Sequence, residues 1–223
     1  YNFEYEKATV YFEKALEYDP TLFGPHVVLA GFSIEGSDKQ KMHIEKAKEN
    51  VLDNNETSKL FVSLLDVERA PFWPLGNKNG HEIWKKMREI EPKGKLIHYY
   101  FAFTKPTDEE AIEELNVLLK EIVSNEGDSK SLAVSGDHSF MEAPIYNTLG
   151  YLNYYIGEKT SSKEYFEKYI ETYPNGYNPY DSMGEFYFNE GDMENAKSFY
   201  SKAIEMYPTA SNAKEMIKKI DAL

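Results

Sequence analysis

Apolar residues in the last third of the chain recur at intervals of three and four, the spacing of one face of an α-helix. One such stripe falls between residues 145 and 156, and a second, richer in aromatic residues, falls between 165 and 173. They predict two amphipathic helices joined by a short polar turn. The stripes consist of Ile145, Leu149, Leu152 and Ile156, followed by Tyr165, Phe166, Tyr169, Ile170 and Tyr173.

The same pattern returns 34 residues later, so this part of the chain is a tandem repeat. Glycine inside a helix costs roughly 1 kcal/mol relative to alanine, and its recurrence at one helical position predicts a close approach of two helices. A second glycine predicts the turn between the paired helices, and a proline predicts the end of the second helix. The matched pairs are Gly150 and Gly184, Gly157 and Gly191, and Pro174 and Pro208.

The residues before the tandem repeat carry the pattern less regularly. Residues 5–20 match only the second half of a repeat, which predicts a further helix ahead of Tyr1. Residues 81–92 repeat that rhythm, and the interval from Pro20 to Pro92 has room for two degenerate helix pairs.

Other local signals add helices and two insertions. Thr107 and Glu110 predict a capping box at the start of a helix, and Asn178 before Pro179 predicts an N-cap followed by the first helical residue. Stretches rich in glycine and polar residues predict insertions near 69–80 and 125–142. Two more helices are marked by Leu60, Phe61, Leu64 and Leu65, and by Ala111, Leu115, Leu118 and Ile122.

This arrangement of small, aromatic and proline positions resembles the tetratricopeptide repeat of bacterial type, closely over 143–176 and 177–210. The first copy departs from the family pattern at Asn153, Ser162 and Tyr169. The second copy fills the family's positions with Tyr180, Met183, Gly184, Tyr187, Ala196, Tyr200, Ala203 and Pro208.

The resemblance implies an all-α fold, a right-handed superhelical array of antiparallel helix pairs. Residues 1–142 are expected to form degenerate repeats containing the two insertions. Residues 143–223 are expected to form two regular repeats and a polar C-terminal helix that caps the last one.

The resemblance also implies a binding surface, because the first helices of successive repeats line a concave groove in this family. Tyrosine offers a large contact area with a hydrogen-bonding tip, and carboxylates favour a basic ligand. The alternative is that some of these tyrosines only pack between repeats. The candidates are Asn147, Tyr151, Tyr154, Tyr155, Asn178, Asp181, Glu185 and Phe188, flanked by Pro144 and Asn189.

The net charge of −13 changes the expected partner. Nucleic acid binding requires neutralisation of phosphates by basic side chains, and arginine occurs only at Arg69 and Arg88. A clamp for acidic protein tails is rejected as well, because Tyr151, Asp181 and Glu185 stand where cations would be needed. A basic or neutral protein or peptide is therefore expected, without membrane insertion, since no apolar run approaches about 18 residues.

A search for catalytic patterns gives no candidate. Cysteine is absent, and neither a nucleophile elbow nor a phosphate-binding loop occurs. The five histidines, at 26, 43, 81, 98 and 138, form no metal-ligand motif. The chain is expected to be no enzyme and to need no cofactor or metal.

These observations favour a non-catalytic scaffold that holds a protein or peptide. The alternative left open is a regulatory or interaction region of a larger protein whose N-terminal part carries an enzymatic domain. Because similar arrays often follow a removed signal sequence, a periplasmic or cell-envelope location is expected, with the cytoplasm as the alternative. The oligomeric state stays open.

Overall fold

The computed structural model describes residues 4–124 and 139–223, and these residues form helices and connecting turns without any strand. They fall into two compact units. The first unit is Tyr5–Leu118, and the second is Leu119–Leu223 together with Glu4. The all-α fold class is therefore confirmed. Most of the predicted insertion at 125–142, namely residues 125–138, lies outside the described residues.

The first unit is built from consecutive helices joined by short turns, apart from one longer connection at residues 64–80. Ser37 and Asn55 cap the helices that follow them, each accepting a backbone hydrogen bond through its side chain. Thr107 does the same for Glu110, as the predicted capping box requires. The helices are α1 (Tyr5–Tyr18), α2 (Phe23–Phe32), α3 (Asp38–Asn50), α4 (Glu56–Ser63), α5 (His81–Ile90), α6 (Lys95–Phe103) and α7 (Asp108–Ser124), the last continuing into the second unit.

The predicted insertion at 69–80 folds back onto the first unit. Trp73 packs against the core between α2 and α3, and the Arg69 guanidinium lies 4.0 Å from the centre of its ring. Asn77 is buried and donates a hydrogen bond to the carbonyl of Glu68 at 2.7 Å. Phe72 stays 68% exposed, although its ring contacts that of Phe103. Of these two adjacent aromatic side chains, only Trp73 is largely covered.

A carboxylate surrounded by three basic side chains joins α5, α6 and α7. The Glu114 carboxylate oxygens lie 2.5 Å from an Arg88 guanidinium nitrogen, 2.8 Å from His98 Nε2 and 3.3 Å from Lys105 Nζ. Burial raises the pKa of Glu114, but the His98 hydrogen bond and the neighbouring positive charges outweigh it, so the net shift is downward. Arg88 and Lys105 also lie over the ring of Phe101, at 4.9 and 4.6 Å. These contacts hold α5, α6 and α7 around one charged centre.

The second unit contains the two regular repeats and the helix that caps them. Gly157 and Gly191 have φ angles of 87° and 80°, which confirms them as the turn residues between paired helices. The final helix buries Ala213 against the preceding pair and exposes its polar face, as predicted for a cap. The helices are α8 (Ser139–Tyr155), α9 (Lys159–Thr172), α10 (Asn178–Asn189), α11 (Met193–Met206) and α12 (Ser211–Asp221).

The predicted close approach occurs at both interior glycines. A Cβ atom added to Gly150 would lie 2.5 Å from the Phe166 ring, and one added to Gly184 would lie 2.9 Å from the Tyr200 ring. Both rings are fully buried. In each repeat, an aromatic ring of the second helix therefore rests directly on the backbone of the first helix.

Replacing Gly150 with alanine should destabilise the fold, because the added methyl overlaps a buried ring. Overpacking costs about 1–3 kcal/mol, partly offset by roughly 1 kcal/mol of improved helix propensity. The difference is a net loss of about 0–2 kcal/mol, and we expect about 1 kcal/mol, measured as a lower urea midpoint. The double variant Gly150→Ala/Phe166→Leu should lose less than the sum of the two single losses.

The matched control is Gly24→Ala, since no atom lies within 4 Å of the added methyl. Its gain in helix propensity is opposed by Pro25, which disfavours helical backbone at a preceding residue with a Cβ. A change within about 0.5 kcal/mol is expected. Equal midpoint shifts in Gly24→Ala and Gly150→Ala would contradict the role of the close approach.

Candidate functional site

Four of the eight predicted binding residues line one pocket on the second unit. Tyr151, Tyr154 and Tyr155 come from α8, and Glu185 comes from α10. The pocket is small, with about 20 Å³ of space for the centre of a water-sized group, and it opens to solvent. We call this surface the α8–α10 face. The pocket is completed by Phe166, Phe186 and Asn189.

Hydrogen bonds across this face tie α8 to α10. The Tyr151 hydroxyl donates to Glu185 Oε2 at 2.7 Å, and the Tyr154 hydroxyl donates to Glu190 Oε1 at 3.1 Å. Lys159 pairs with Glu190 at 2.8 Å. Burial and then the Glu185 charge raise the pKa of Tyr151 well above its usual value, so this phenol remains a donor at neutral pH. The two tyrosines therefore join successive repeats as well as line the pocket.

The other four predicted residues lie on the same helices but outside the pocket lining. Asn147 is buried, and its Oδ1 atom has no hydrogen-bond partner. Phe188 packs towards α12, where the Lys219 ammonium lies 4.8 Å from its ring centre. Asn178 is the first residue of α10 rather than its N-cap, which is Tyr177. The predicted N-cap is wrong by one position, and the Asn178 side chain instead donates to the Tyr169 hydroxyl at 3.3 Å.

Asp181, the fourth of these residues, is a buried carboxylate with one oxygen satisfied. Asn212 of α12 donates to its Oδ2 atom at 2.8 Å, whereas Oδ1 has no hydrogen-bond partner. Burial, reinforced by the Glu185 charge, raises the pKa of Asp181 to about 6 although the Asn212 hydrogen bond opposes the shift. Burial and then the Asp181 and Glu185 charges raise the pKa of Tyr200, whose hydroxyl also lacks a partner. The interior behind the face is therefore acidic and contains polar atoms without a hydrogen-bond partner.

The structure adds three residues that sequence reasoning missed. Phe166 and Phe186 form the buried base of the pocket, and their apolar character indicated only a core position. Asn212 links α12 to Asp181. It lies 34 residues after Asn178, so extending the repeat register into the capping helix would have found it.

The titratable clusters elsewhere in the described residues have structural explanations. No group of three histidine, aspartate or glutamate side chains there is placed to hold a metal ion. His26 and His43 meet in the first unit with their Nδ1 atoms 2.8 Å apart. Burial, and then the neighbouring His26, lowers the pKa of His43 to about 4. One neutral ring therefore donates to the other and joins α2 to α3. No described helix is long and apolar enough to span a bilayer.

A 34-residue helix pair, built around a ring that rests on a glycine, defines a helical-repeat protein. The family model of the tetratricopeptide repeat matches residues 2–22, 143–175 and 177–209. The chain therefore contains tetratricopeptide repeats at these residues.

Similar solved structures share this fold at low sequence identity. TTC0263, a thermophilic tetratricopeptide protein of Thermus thermophilus, is 14% identical with a TM-score of 0.59, covering 91% of this chain and 100% of that one. The type IV pilus biogenesis factor PilW is 13% identical with a TM-score of 0.54, and the match covers 96% of this chain and 91% of that one.

A third similar structure is the Cut9–Hcn1 hetero-tetramer of the APC/C, which is 16% identical with a TM-score of 0.59. The match covers 97% of this chain and spans 39% of the matched one. A comparison with curated protein sequences found no match. Identities this low establish likeness of fold alone.

Replacing Asp181 with asparagine should change how stability depends on pH. The folded-state pKa of about 6 lies above the ordinary 3.8, so the buried charge destabilises the fold above pH 6. As pH falls from about 6 towards 4, the folded state takes up the proton first, and the free energy of unfolding rises. Asp181→Asn removes the buried charge. It should raise the free energy of unfolding by about 1–2 kcal/mol at about pH 7.5, and by less at about pH 5.

The measurement is the urea midpoint of variant and wild type at the two pH values. Glu164→Gln removes one carboxylate from an exposed position in the middle of α9 and is the matched control. It should shift neither midpoint appreciably. A wild-type minus Asp181→Asn difference that is constant between the two pH values would argue against the raised pKa.

Proposed function

We propose that this chain is a non-catalytic scaffold that binds a basic or neutral protein or peptide on the α8–α10 face. The observation that carries the proposal is the pocket on that face, where three tyrosines and a carboxylate from successive repeats meet. Tyrosine-rich surfaces with a few fixed polar groups are typical of protein interaction sites. The family supports the same general role, since tetratricopeptide repeats serve as interaction scaffolds.

The geometry of the face suits an extended ligand. Phenol and carboxylate groups follow one another along α8 and α10, and the polar link between α10 and α12 continues the series. A peptide lying across these helices would meet aromatic surface, hydrogen-bonding tips and acidic oxygens in turn. The Glu185 carboxylate in the pocket, the Asp181 carboxylate buried behind it and the net charge of −13 favour a cationic segment over an acidic one.

The carboxylates of the face hold helices together, which supports binding over catalysis. Glu185 accepts from Tyr151, Glu190 pairs with Lys159, and Asp181 accepts from Asn212. Each contact joins two helices of the unit. A ligand that bridges the same helices would add to contacts that the fold already makes.

Selection from a random linear peptide library against the full chain tests the proposal. We expect selected peptides to be enriched in lysine and arginine and to bind more weakly as salt rises. The double variant Tyr151→Ala/Glu185→Ala should bind them at least about tenfold more weakly, which corresponds to about 1.4 kcal/mol. Affinity is measured by titration calorimetry.

The matched control is Tyr18→Ala/Glu17→Ala, which removes the same two residue types from exposed positions of the first unit. It should keep wild-type affinity. Both double variants must retain the helical circular dichroism and melt above the assay temperature. Peptides that bind the Tyr151→Ala/Glu185→Ala variant as tightly as the wild type would place the binding site elsewhere.

A further inference from the structure

Five aromatic rings surround the pocket of the α8–α10 face in a closed cycle, which we call the aromatic box. Following the cycle, successive ring centres are 5.0, 6.3, 6.5, 5.9 and 6.1 Å apart. All five side chains line the same pocket. The cycle runs Phe166, Tyr151, Tyr155, Tyr154, Phe186 and back to Phe166.

The spacing of the box matches the reach of a cation–π interaction. In a regular five-membered ring with sides of about 6 Å, each ring centre lies about 5 Å from the middle, and attraction extends to about 6 Å. The rings of the box differ in their exposure to solvent. Tyr155 at the rim is 68% exposed, whereas Phe166 at the base is 1% exposed. A positive group entering from solvent would therefore pass an open rim and reach a desolvated base.

One wall of the box is a carboxylate, and this selects the charge of the ligand. Glu185 lines the pocket, and its Oε2 atom accepts a hydrogen bond from the Tyr151 hydroxyl. The other carboxylate oxygen is therefore the one suited to a ligand. A purely apolar ligand would desolvate Glu185 without compensation, whereas an ammonium would pair with it. The net charge of −13 adds a long-range attraction for cations.

The ring orientations favour a compact cation over a planar one. Tyr151 and Phe166 meet at 80°, Tyr154 and Phe186 at 80°, and Tyr154 and Tyr155 at 79°. A guanidinium can lie parallel to only one of two perpendicular rings, so it would stack on part of the box. An ammonium has no plane, so its contact with one ring does not fix its orientation towards the others.

We propose that the aromatic box takes the ammonium group of a lysine side chain of the bound partner, with Glu185 accepting its hydrogen bond. The proposal rests on the proposed function and names the group recognised at that site. The rings supply cation–π attraction from several sides, and the carboxylate fixes the depth at which the ammonium stops.

Three small probes test the proposal on the full chain: the N-acetyl N-methylamides of lysine, norleucine and arginine. Norleucine has a similar aliphatic chain without the ammonium. Dissociation constants are measured by NMR titration of protein with labelled tyrosine side chains. We expect the lysine probe to bind at least about tenfold more tightly than the norleucine probe and more tightly than the arginine probe. Equal binding of lysine and norleucine probes, or tighter binding of the arginine probe, would overturn the proposal.

Matched variants separate the contributions of ring and charge. Tyr155→Leu should lower the affinity for the lysine probe about three- to fivefold. Tyr155→Phe, which keeps the ring, should retain most of the wild-type affinity. Glu185→Gln should weaken it at least about fivefold. Glu194→Gln removes the same charge outside the pocket and should leave the affinity unchanged. A Tyr155→Phe loss as large as that of Tyr155→Leu, or equal losses in the two glutamine variants, would also overturn the proposal.

Failure of this inference can be told apart from failure of the proposed function. If library peptides bind the face but tolerate norleucine in place of every lysine, the lysine site is wrong while the binding face stands. If no library peptide binds while the lysine probe shows the expected selectivity, the box is supported and the peptide-binding role fails.

Discussion

The contact of an aromatic ring with a glycine backbone is the constraint on which the second unit depends. Phe166 rests on Gly150 and Tyr200 rests on Gly184, each too closely to admit a methyl group. This contact sets the distance between paired helices in both repeats. Phe166 also forms the base of the aromatic box, so the ring that spaces α8 from α9 shapes the pocket as well. Packing and recognition therefore share a residue.

Polar contacts between repeats impose a second constraint, because each must be satisfied in a partly buried setting. Tyr151 donates to Glu185, and Asn212 donates to Asp181, so α8, α10 and α12 are linked in sequence. Beneath the face, the Asp181 Oδ1 acceptor and the Tyr200 hydroxyl are both buried without a hydrogen-bond partner. A cationic ligand would instead pair with Glu185, the carboxylate that lines the pocket. The proposed partner therefore complements the chemistry of the unit that would bind it.

Much of the candidate site follows from the repeat register, and the remainder does not. Tyr151, Tyr154, Tyr155 and Glu185 could be selected because their repeat positions fix which side of a helix they occupy. Phe166 and Phe186 could not, since an aromatic residue in an apolar stripe has the same sequence signal whether it fills a core or lines a cavity. Asn178 was misplaced by one residue because both Tyr177 and Asn178 can begin a helix that has proline in its first turn.

The sequence by itself determined the all-helical fold, the 34-residue period, the glycine turns and the helix pairs, because each depends on local backbone preference and helical spacing. Only the tertiary structure decided that five rings from three helices close around one pocket, that Glu185 forms its wall, and that Asp181 is buried beside Asn212. These features depend on distances between residues that lie on different helices, well apart along the chain. Such distances are set by how helices pack and not by the spacing of residues within any one of them.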